Sequence, residues 1–246
     1  MPHATNTASG EVPIFTASPS PSSPRGTVPP YVLSYFAMRR AAGWIGILLP
    51  IVAAFLTLAI DSHHHLPDSI SASYYTIGRN YFVGSLCAVG VFLISGVGYN
   101  EDRFLSFLAG AMAFVVAFSP CSPPKCYGIT IHGHSNVFHG IAATLLFADL
   151  AWMCLFRFTL SGDQKPNSSE RKKLTAAKKN RNVVFRLCGL LMVFGMAVQV
   201  IAWLIGLATR RHVHYLTYGV ETLCLMAFGF AWIVKGQQLF PDKRSA

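Results

Sequence analysis

The chain has 246 residues, of which 52% are hydrophobic and 12% are charged, and its formal net charge is +10. Soluble domains carry about 25% charged residues, so this composition excludes an ordinary soluble domain. The basic residues flank apolar stretches and do not alternate with aromatic residues, which argues against nucleic-acid binding.

The N-terminal segment, residues 1–30, is rich in Ser, Pro and Thr and carries one acidic residue, Glu11, and one basic residue, Arg25. A segment of this composition cannot bury enough apolar surface to order itself, so we predict a disordered tail. It also lacks the charged start and apolar centre of a cleaved signal peptide. The first apolar stretch is therefore the expected signal for membrane insertion.

Six apolar windows follow in chain order, near residues 41–60, 81–99, 104–119, 137–156, 187–207 and 215–234. A helix needs about 20 apolar residues to cross a hydrocarbon core of about 30 Å, and five windows have that length. The third is shorter and would have to stand upright. No window alternates as a strand does, and lipid permits only helices or closed barrels. We predict an all-α integral membrane protein, a six-helix bundle over residues 31–238 with a short basic tail at 239–246.

The distribution of basic residues predicts the orientation of this bundle. If the spans alternate in direction, all but four of the 20 Lys and Arg residues fall on one side of the membrane. The four exceptions are Arg79, Lys125, Arg210 and Arg211. Positive residues favour the cytoplasmic side, so both termini are expected there. The basic stretch 165–181 either determines this topology or also contacts anionic headgroups, which makes the lipid bilayer the expected partner.

Two cysteines, Cys121 and Cys126, share one predicted outer loop, in the sequence CSPPKC. They would form a small disulfide loop if that side is oxidising. Together with His132 and His134 they also resemble a metal-ligand set, although the spacing matches no standard zinc pattern. We predict no cofactor, with zinc bound by His139, His132 and His134 as the alternative.

Polar residues inside the predicted spans are few and point to a candidate pocket. With a rise of 1.5 Å per residue, His139 lies about 3 Å below the outer boundary, Glu221 about 9 Å and Gln199 about 12 Å, whereas Asp149 lies about 18 Å down. Intramembrane ionisable groups usually face the bundle interior or a wet cavity. The predicted pocket therefore consists of Arg79, His139, Glu221, Tyr74, Tyr75, Ser69, Ser71 and Gln199.

Simpler roles remain open for several of these residues. Glu221 would also fit a purely structural pairing with His139 or Arg79 that locks the bundle. Gln199 would serve equally well as a hydrogen-bonding link between helices. The tyrosines would fit the aromatic belt that marks a membrane interface.

The segment SISASYYTIGRNYFVGSLCAVGVFLI carries a family resemblance. It resembles an uncharacterised family of six-span bacterial membrane proteins that read S-x-S-x-Y-Y, then Arg, then F-V-G; here one further Ser precedes the tyrosine pair. The stretches RNVVFRLCG, FHGIAATLLFADLAWMCLF and ETLCLMAFGFAWIVKG are also similar. More remotely, the six-span plan is similar to DRAM-like and Sfk-like membrane proteins. The resemblance implies a bacterial inner membrane, or another plasma membrane, and no particular activity.

Three functional hypotheses follow from these residues. The first is a non-enzymatic membrane protein whose outer-leaflet pocket binds a lipid headgroup or a small solute, because the planar guanidinium of Arg79 matches phosphate. The second is a metal-dependent intramembrane lipid hydrolase, in which His139 and Glu221 hold zinc and Ser69 or Ser71 assists. The third is a proton- or cation-coupled transporter that uses Glu221. The sequence leaves open whether the protein is an enzyme.

Overall fold

The computed structural model describes residues 30–61, 65–95, 100–123, 135–160, 176–209 and 215–236. Within these ranges every regular element is helical. The six main helices are α1 Pro30–Phe55, α2 Arg79–Ser95, α3 Asn100–Phe118, α4 Ser135–Trp152, α5 Ala176–Thr209 and α6 Leu216–Lys235. Each coincides with one of the predicted apolar windows, so the all-helical fold class is confirmed. The predicted tail at 239–246 lies outside the described residues, and so does the predicted tail at 1–30 except for Pro30, which is the first residue of α1.

Three short helical pieces complete the described part of the chain. A π-helical turn, Leu56–Ile60, continues α1, and a second one, Met153–Arg157, continues α4. A 3₁₀ helix, Ser71–Tyr75, precedes α2. This last piece belongs to residues 65–78, which we call the capping segment because it lies across one end of the bundle.

Four described helical segments are long and apolar enough to cross a membrane: Phe36–Ile60, Asn136–Arg157, Ala177–Gly206 and Leu216–Lys235. The other two apolar helices are shorter, at Arg79–Ser95 and Arg103–Phe118. The third window was predicted to be short, and this is confirmed. The described part of the second helix runs to Ser95, and the rest of its predicted window, residues 96–99, lies outside the described residues.

The six helices pack in a closed circuit. Each helix contacts the next one in the chain, and α6 also packs along α1. The α1–α6 contact is close because Gly43 and Gly229 face each other, so that a Cβ on Gly229 would lie 2.5 Å from the carbonyl oxygen of Gly43. Small residues allow this kind of backbone approach between apolar helices.

Large apolar side chains cover the outside of the bundle. Phe104 is 69% exposed and Phe118 65%, and α5 alone presents Leu187, Phe194 and Trp203 outward. Soluble monomers rarely expose apolar patches larger than a few hundred Å². This surface, together with the four helices of spanning length, is compatible with a membrane protein.

Apolar side chains fill the interior at both ends of the bundle. The polar groups that surround them differ between the two ends. At one end, buried Ile70 of the capping segment packs with Leu49, Phe82 and Tyr218. At the other end, Phe158 packs against Phe185 and Trp232 in edge-to-face contacts. We call these the capped end and the opposite end. The cations Arg39 and Lys235 lie over the Phe158 ring at the opposite end.

Candidate functional site

The capping segment is folded by its own hydroxyl groups. Ser69 Oγ accepts a hydrogen bond from the backbone N–H of Ala72 at 3.0 Å, and Thr76 Oγ1 accepts one from Gly78 at 3.0 Å. Thr76 Oγ1 also donates to the carbonyl of Ser73. Such side-chain bonds offer the backbone an alternative to a regular helix. The Ser-rich sequence therefore makes a compact turn that leads directly into α2.

Glu221 anchors this segment to α6. Its Oε2 accepts the backbone N–H of Ile70 at 2.5 Å and that of Ser71 at 3.4 Å, and its Oε1 accepts the Ser71 hydroxyl at 3.2 Å. The carboxylate thus satisfies the free N–H groups at the start of the 3₁₀ helix, where negative charge is favourable. Glu221 and Ser71 are both predicted pocket residues, and they are in direct contact. Ser69, also predicted, instead stabilises the turn within the capping segment.

Tyr218, one helical turn before Glu221, makes the second attachment. Its backbone N–H donates to the Asp68 carbonyl at 2.9 Å, and its hydroxyl donates to the Pro50 carbonyl in α1 at 2.7 Å. The sequence analysis missed Tyr218. The signal available in the sequence was its spacing of three residues from Glu221, which places both side chains on one helix face.

Arg79 lies at the start of α2 and is exposed. Its Nη2 donates to the Tyr74 hydroxyl at 2.8 Å, and its guanidinium carbon lies 4.3 Å from the centre of the Tyr74 ring. Tyr74 packs edge-to-face on Tyr75. The hydroxyl of Tyr75 donates to the Cys121 carbonyl at 2.5 Å, and burial raises the pKa of Tyr75 to about 12. These two tyrosines hold the guanidinium in place at the capped end.

His139 ties α4 to the end of α3. The ring is 6% exposed, and its Nδ1 lies 2.6 Å from the carbonyl oxygen of Ser119. A carbonyl oxygen only accepts, so Nδ1 carries the hydrogen. Gln199 links α5 to α6 by donating from Nε2 to Thr217 Oγ1 at 3.2 Å. Gln199 thus makes the hydrogen-bonding link between helices that the sequence analysis left open.

The predicted pocket residues divide into separate contact sets. All eight are in the described part of the chain, and within it no hydrogen bond or ion pair joins Arg79, His139 and Glu221 to one another. The proposed pairing of Glu221 with His139 or Arg79 is wrong, because its carboxylate is held by the capping-segment backbone. Arg79, Tyr74 and Tyr75 form one set and Glu221, Ser69 and Ser71 another.

A cleft opens beside Arg79, between the start of α2 and the end of α3. Its volume is about 390 Å³. The lining residues are Tyr74, Arg79, Asn80, Val83, Gly84, Ala117 and Phe118. A Cβ on Gly84 would meet nothing within 4 Å, so this glycine leaves the wall open. The cleft therefore has a cationic and polar rim above an apolar wall.

The contribution of α3 to the cleft was missed by the sequence analysis. Ala117 and Phe118 lie near the end of the third window and carry no polar group that would have marked them. Asn80 and Gly84 lie near Arg79 in the sequence, and this was the one feature that could have indicated their place in the cleft. Pairing of α2 with α3 was the information needed to find the cleft.

The thiol of Cys121 lies close to these groups. Burial, and then the negative charge of Glu221, raise its pKa to about 12. The thiolate is the nucleophile and the metal ligand, so this thiol is unreactive at neutral pH. Cys121 is a free cysteine in the structure, while Cys126, His132 and His134 lie outside the described residues. Within the described ranges no three His, Cys, Asp or Glu residues are grouped to hold a metal ion.

Comparison with known proteins adds no relative from which an activity could be transferred. The chain matches no protein-family model, no curated protein and no solved structure. The function has to be argued from the cleft, the capping segment and the apolar surface of the bundle.

Proposed function

We propose that the chain is a six-span protein of a bacterial inner or other plasma membrane, with both termini in the cytoplasm, and that its Arg79 cleft binds the phosphate of an anionic lipid in the outer leaflet. The family resemblance and the placement of basic residues support this topology. In this arrangement the capped end faces the outside. The opposite end, with Arg39, Lys178 and Lys235, faces the cytoplasm.

The observation that carries the proposal is an exposed guanidinium fixed beside a cleft with an apolar wall. The Tyr74 hydroxyl accepts a hydrogen bond from one guanidinium nitrogen of Arg79, and the Tyr74 ring packs against the guanidinium. The guanidinium has further N–H groups that can donate to a ligand. Arginine binds phosphate with two parallel hydrogen bonds. Because Tyr74 and Tyr75 already order the side chain, less conformational entropy is lost on binding.

The walls of the cleft match the rest of a lipid molecule. The apolar wall of the cleft next to Arg79 is formed by Val83, Gly84 and Phe118. In a membrane this wall would face the hydrocarbon. Phe118 is 65% exposed and would contact the first methylenes of an acyl chain. A phosphate at Arg79 and a chain along Phe118 therefore account for both parts of the cleft.

Two alternatives receive less support from the described residues. A metal-dependent lipid hydrolase would need His139 and Glu221 on one ion, but they bind Ser119 and the capping segment separately. A transporter using Glu221 would need that carboxylate free to exchange a proton or cation, and it is occupied by three hydrogen bonds.

The test compares lipid binding by the wild-type protein, Arg79→Gln and Arg103→Gln in a neutral detergent. Arg103 is an exposed arginine at the other end of the α2–α3 pair and is the matched control. We expect phosphatidylglycerol, but not phosphatidylcholine, to raise the melting temperature of the wild type and Arg103→Gln. Arg79→Gln should bind about tenfold more weakly, which corresponds to about 1.4 kcal/mol. Equal stabilisation of Arg79→Gln would overturn the proposal.

A second arm separates a lipid from a free phosphate ester. Glycerol phosphate carries the same anion without acyl chains. If the ligand is a lipid, glycerol phosphate should give no measurable shift, and Phe118→Ser should weaken phosphatidylglycerol binding while leaving the fold intact. A full response to glycerol phosphate that is insensitive to Phe118→Ser would instead identify a soluble ligand and overturn the assignment to a lipid.

A further inference from the structure

Phe158 lies where several helices meet at the opposite end of the bundle. It follows the π-helical turn that continues α4, and its side chain is 1% exposed. Its ring packs edge-to-face against Phe185 of α5 and Trp232 of α6, with ring centres 5.3 and 4.8 Å apart. Both partners are buried as well. We call these three rings the aromatic base, because charged side chains rest against them.

Three cations lie against the aromatic base, each from a different helix. The Arg39 guanidinium of α1 lies 5.7 Å from the centre of the Phe158 ring, and the Lys235 ammonium of α6 lies 4.7 Å from it. Lys178 of α5 donates to the Phe158 carbonyl at 3.1 Å and to the Leu160 carbonyl at 3.0 Å. The face of an aromatic ring attracts a cation. These contacts fix three positive charges around one buried side chain, and we call them the cation cluster.

The charges of the cation cluster are close enough to repel one another. Arg39 and Lys235 lie over the same ring, so their separation is at most roughly 10 Å, about one Debye length at 0.1 M salt. The repulsion is stronger beside apolar rings than in open water, because the rings screen charge less well. An anion between the two cations replaces this repulsion with attraction to both.

The surroundings of the cation cluster are also positively charged. Among the side chains that the structure describes, the carboxylates are Asp61, Asp68 and Glu221 at the capped end and Asp149 in the bundle interior. The other basic residues described towards the opposite end are Arg40, Arg103, Arg157, Lys179, Arg181 and Arg186. A surface with one sign of charge raises the local concentration of ions of the other sign.

The position of the cation cluster favours a lipid as the source of the anion. Lys235 is the last residue of one segment of membrane-spanning length, and Arg157, next to Phe158, is the last residue of another. In the proposed topology this is the level of the cytoplasmic headgroups, where basic residues attract anionic lipids. Phe156 and Leu160, on either side of Phe158 in the chain, are exposed and would contact acyl chains.

We propose that Arg39, Lys178 and Lys235 form a second lipid-binding surface, which takes a headgroup with two phosphates from the leaflet at the opposite end. Two phosphates contact a guanidinium and an ammonium at the same time, whereas a single phosphate has to be shared between them. Arg39 and Lys235 are each half-buried, so part of each side chain reaches the surface. The proposal rests on the membrane placement of the chain and not on the Arg79 cleft, which lies at the capped end.

The test uses the full-length Arg79→Gln protein in a neutral detergent as the parent, so that the cleft at the capped end does not contribute. Cardiolipin carries two phosphates, and phosphatidylcholine is the zwitterionic comparison. We expect cardiolipin, but not phosphatidylcholine, to raise the melting temperature of the parent. Adding Arg39→Gln or Lys235→Gln should weaken cardiolipin binding about fivefold, which is the contribution of one cation near an anionic headgroup.

Three further variants control for charge, stability and position. Lys235→Arg keeps the charge and should retain cardiolipin binding. Each melting temperature is compared with that of the same variant without lipid, and Lys235→Met keeps the apolar stem over the rings if Lys235→Gln folds poorly. Arg103→Gln removes an exposed cation of α3 towards the same end, outside the cation cluster, and should bind cardiolipin as the parent does.

Four results would overturn the proposal. Cardiolipin could leave the parent unchanged, or bind equally to the parent, Arg39→Gln and Lys235→Gln. An equal loss in Arg103→Gln would indicate attraction to the whole basic surface and not to the cation cluster. A full response to inorganic pyrophosphate would identify a soluble anion as the ligand. Because the parent lacks Arg79, none of these results depends on whether the proposed outer-leaflet site exists.

Discussion

Two carboxyl groups in apolar helices show how surroundings decide the role of a residue. Glu221 receives two backbone N–H groups and one hydroxyl from the capping segment, whereas buried Asp149 faces the backbone at Ala109 and no side-chain hydrogen bond to it is found in the described chain. The first is a structural anchor for the capping segment. Both residues would look equivalent in a hydropathy profile.

Removal of the Glu221 anchor should destabilise the capped end. Glu221→Leu leaves the buried N–H groups of Ile70 and Ser71 without an acceptor, which costs about 1–3 kcal/mol. Glu221→Gln retains one acceptor oxygen and should cost less than about 1 kcal/mol. Reversible unfolding measures the free energy, and hydrogen exchange should show faster exchange at residues 65–78 in Glu221→Leu. Equal protection of this segment in both variants would contradict the anchoring role.

The Cys121 thiol should react slowly at neutral pH. Its pKa is raised to about 12, so the thiolate fraction grows about tenfold per pH unit over the range below that value. In a variant that retains Cys121 as its single cysteine, alkylation should therefore accelerate steadily with pH. The same variant with Glu221→Gln lacks the nearby negative charge, and its alkylation should be faster at each pH. A rate that levels off near neutral pH would contradict the assignment.

The sequence was sufficient to single out Arg79, His139 and Glu221, because ionisable residues are rare in apolar stretches. Their partners could not be predicted. Hydropathy fixes the position of a residue along a helix axis, but the rotation of each helix depends on packing. The partners are also largely backbone groups, such as the Ser119 carbonyl and the Ile70 N–H, which leave no mark in the sequence.

At the scale of the elements, close approach of α1 and α6 holds the circuit of helices together. Gly43 and Gly229 face each other, and buried Phe228 and Trp232 pack beside this contact. Tyr218 adds a hydrogen bond from α6 to the Pro50 carbonyl. All six helices could be predicted from apolar windows, but the pairing of α6 with α1 required the three-dimensional structure.

A methyl group at Gly229 should disrupt this contact. In Gly229→Ala the new carbon would lie 2.5 Å from the Gly43 carbonyl oxygen and 2.7 Å from a side-chain carbon of Ile47, so the helices must move apart. Such overpacking costs about 1–3 kcal/mol. Gly219→Ala is the control on the same helix, since nothing lies within 4 Å of its Cβ position. It should be neutral or stabilising by up to about 1 kcal/mol in reversible unfolding.

At the scale of the whole molecule, the surface divides the protein into an apolar belt and two polar ends. The capped end is built from Ser, Tyr, His and Glu side chains, and the opposite end from aromatic residues with Arg and Lys. This asymmetry agrees with the positive-inside distribution of the sequence. The number of crossings depends on α2 and α3, whose described apolar segments are shorter than the four segments of membrane-spanning length.

Cysteine labelling distinguishes six crossings from four. Ser122, Arg103 and Lys179 are all exposed, and each can be replaced by cysteine in a cysteine-free background. If α2 and α3 cross the membrane, Arg103 lies on the side opposite Ser122. If they do not, Arg103 and Ser122 lie on the same side, while Lys179 remains across the membrane in either arrangement.

We expect a membrane-impermeant thiol reagent to label Ser122→Cys on intact cells, and to label Arg103→Cys and Lys179→Cys only after permeabilisation. A helix of 16 residues, as from Arg103 to Phe118, spans about 24 Å, so the bilayer must thin slightly around α2 and α3. Labelling of both Arg103→Cys and Ser122→Cys on intact cells, without Lys179→Cys, would reduce the number of crossings to four. Labelling of Lys179→Cys in place of Ser122→Cys would reverse the orientation and move the Arg79 cleft to the cytoplasmic leaflet.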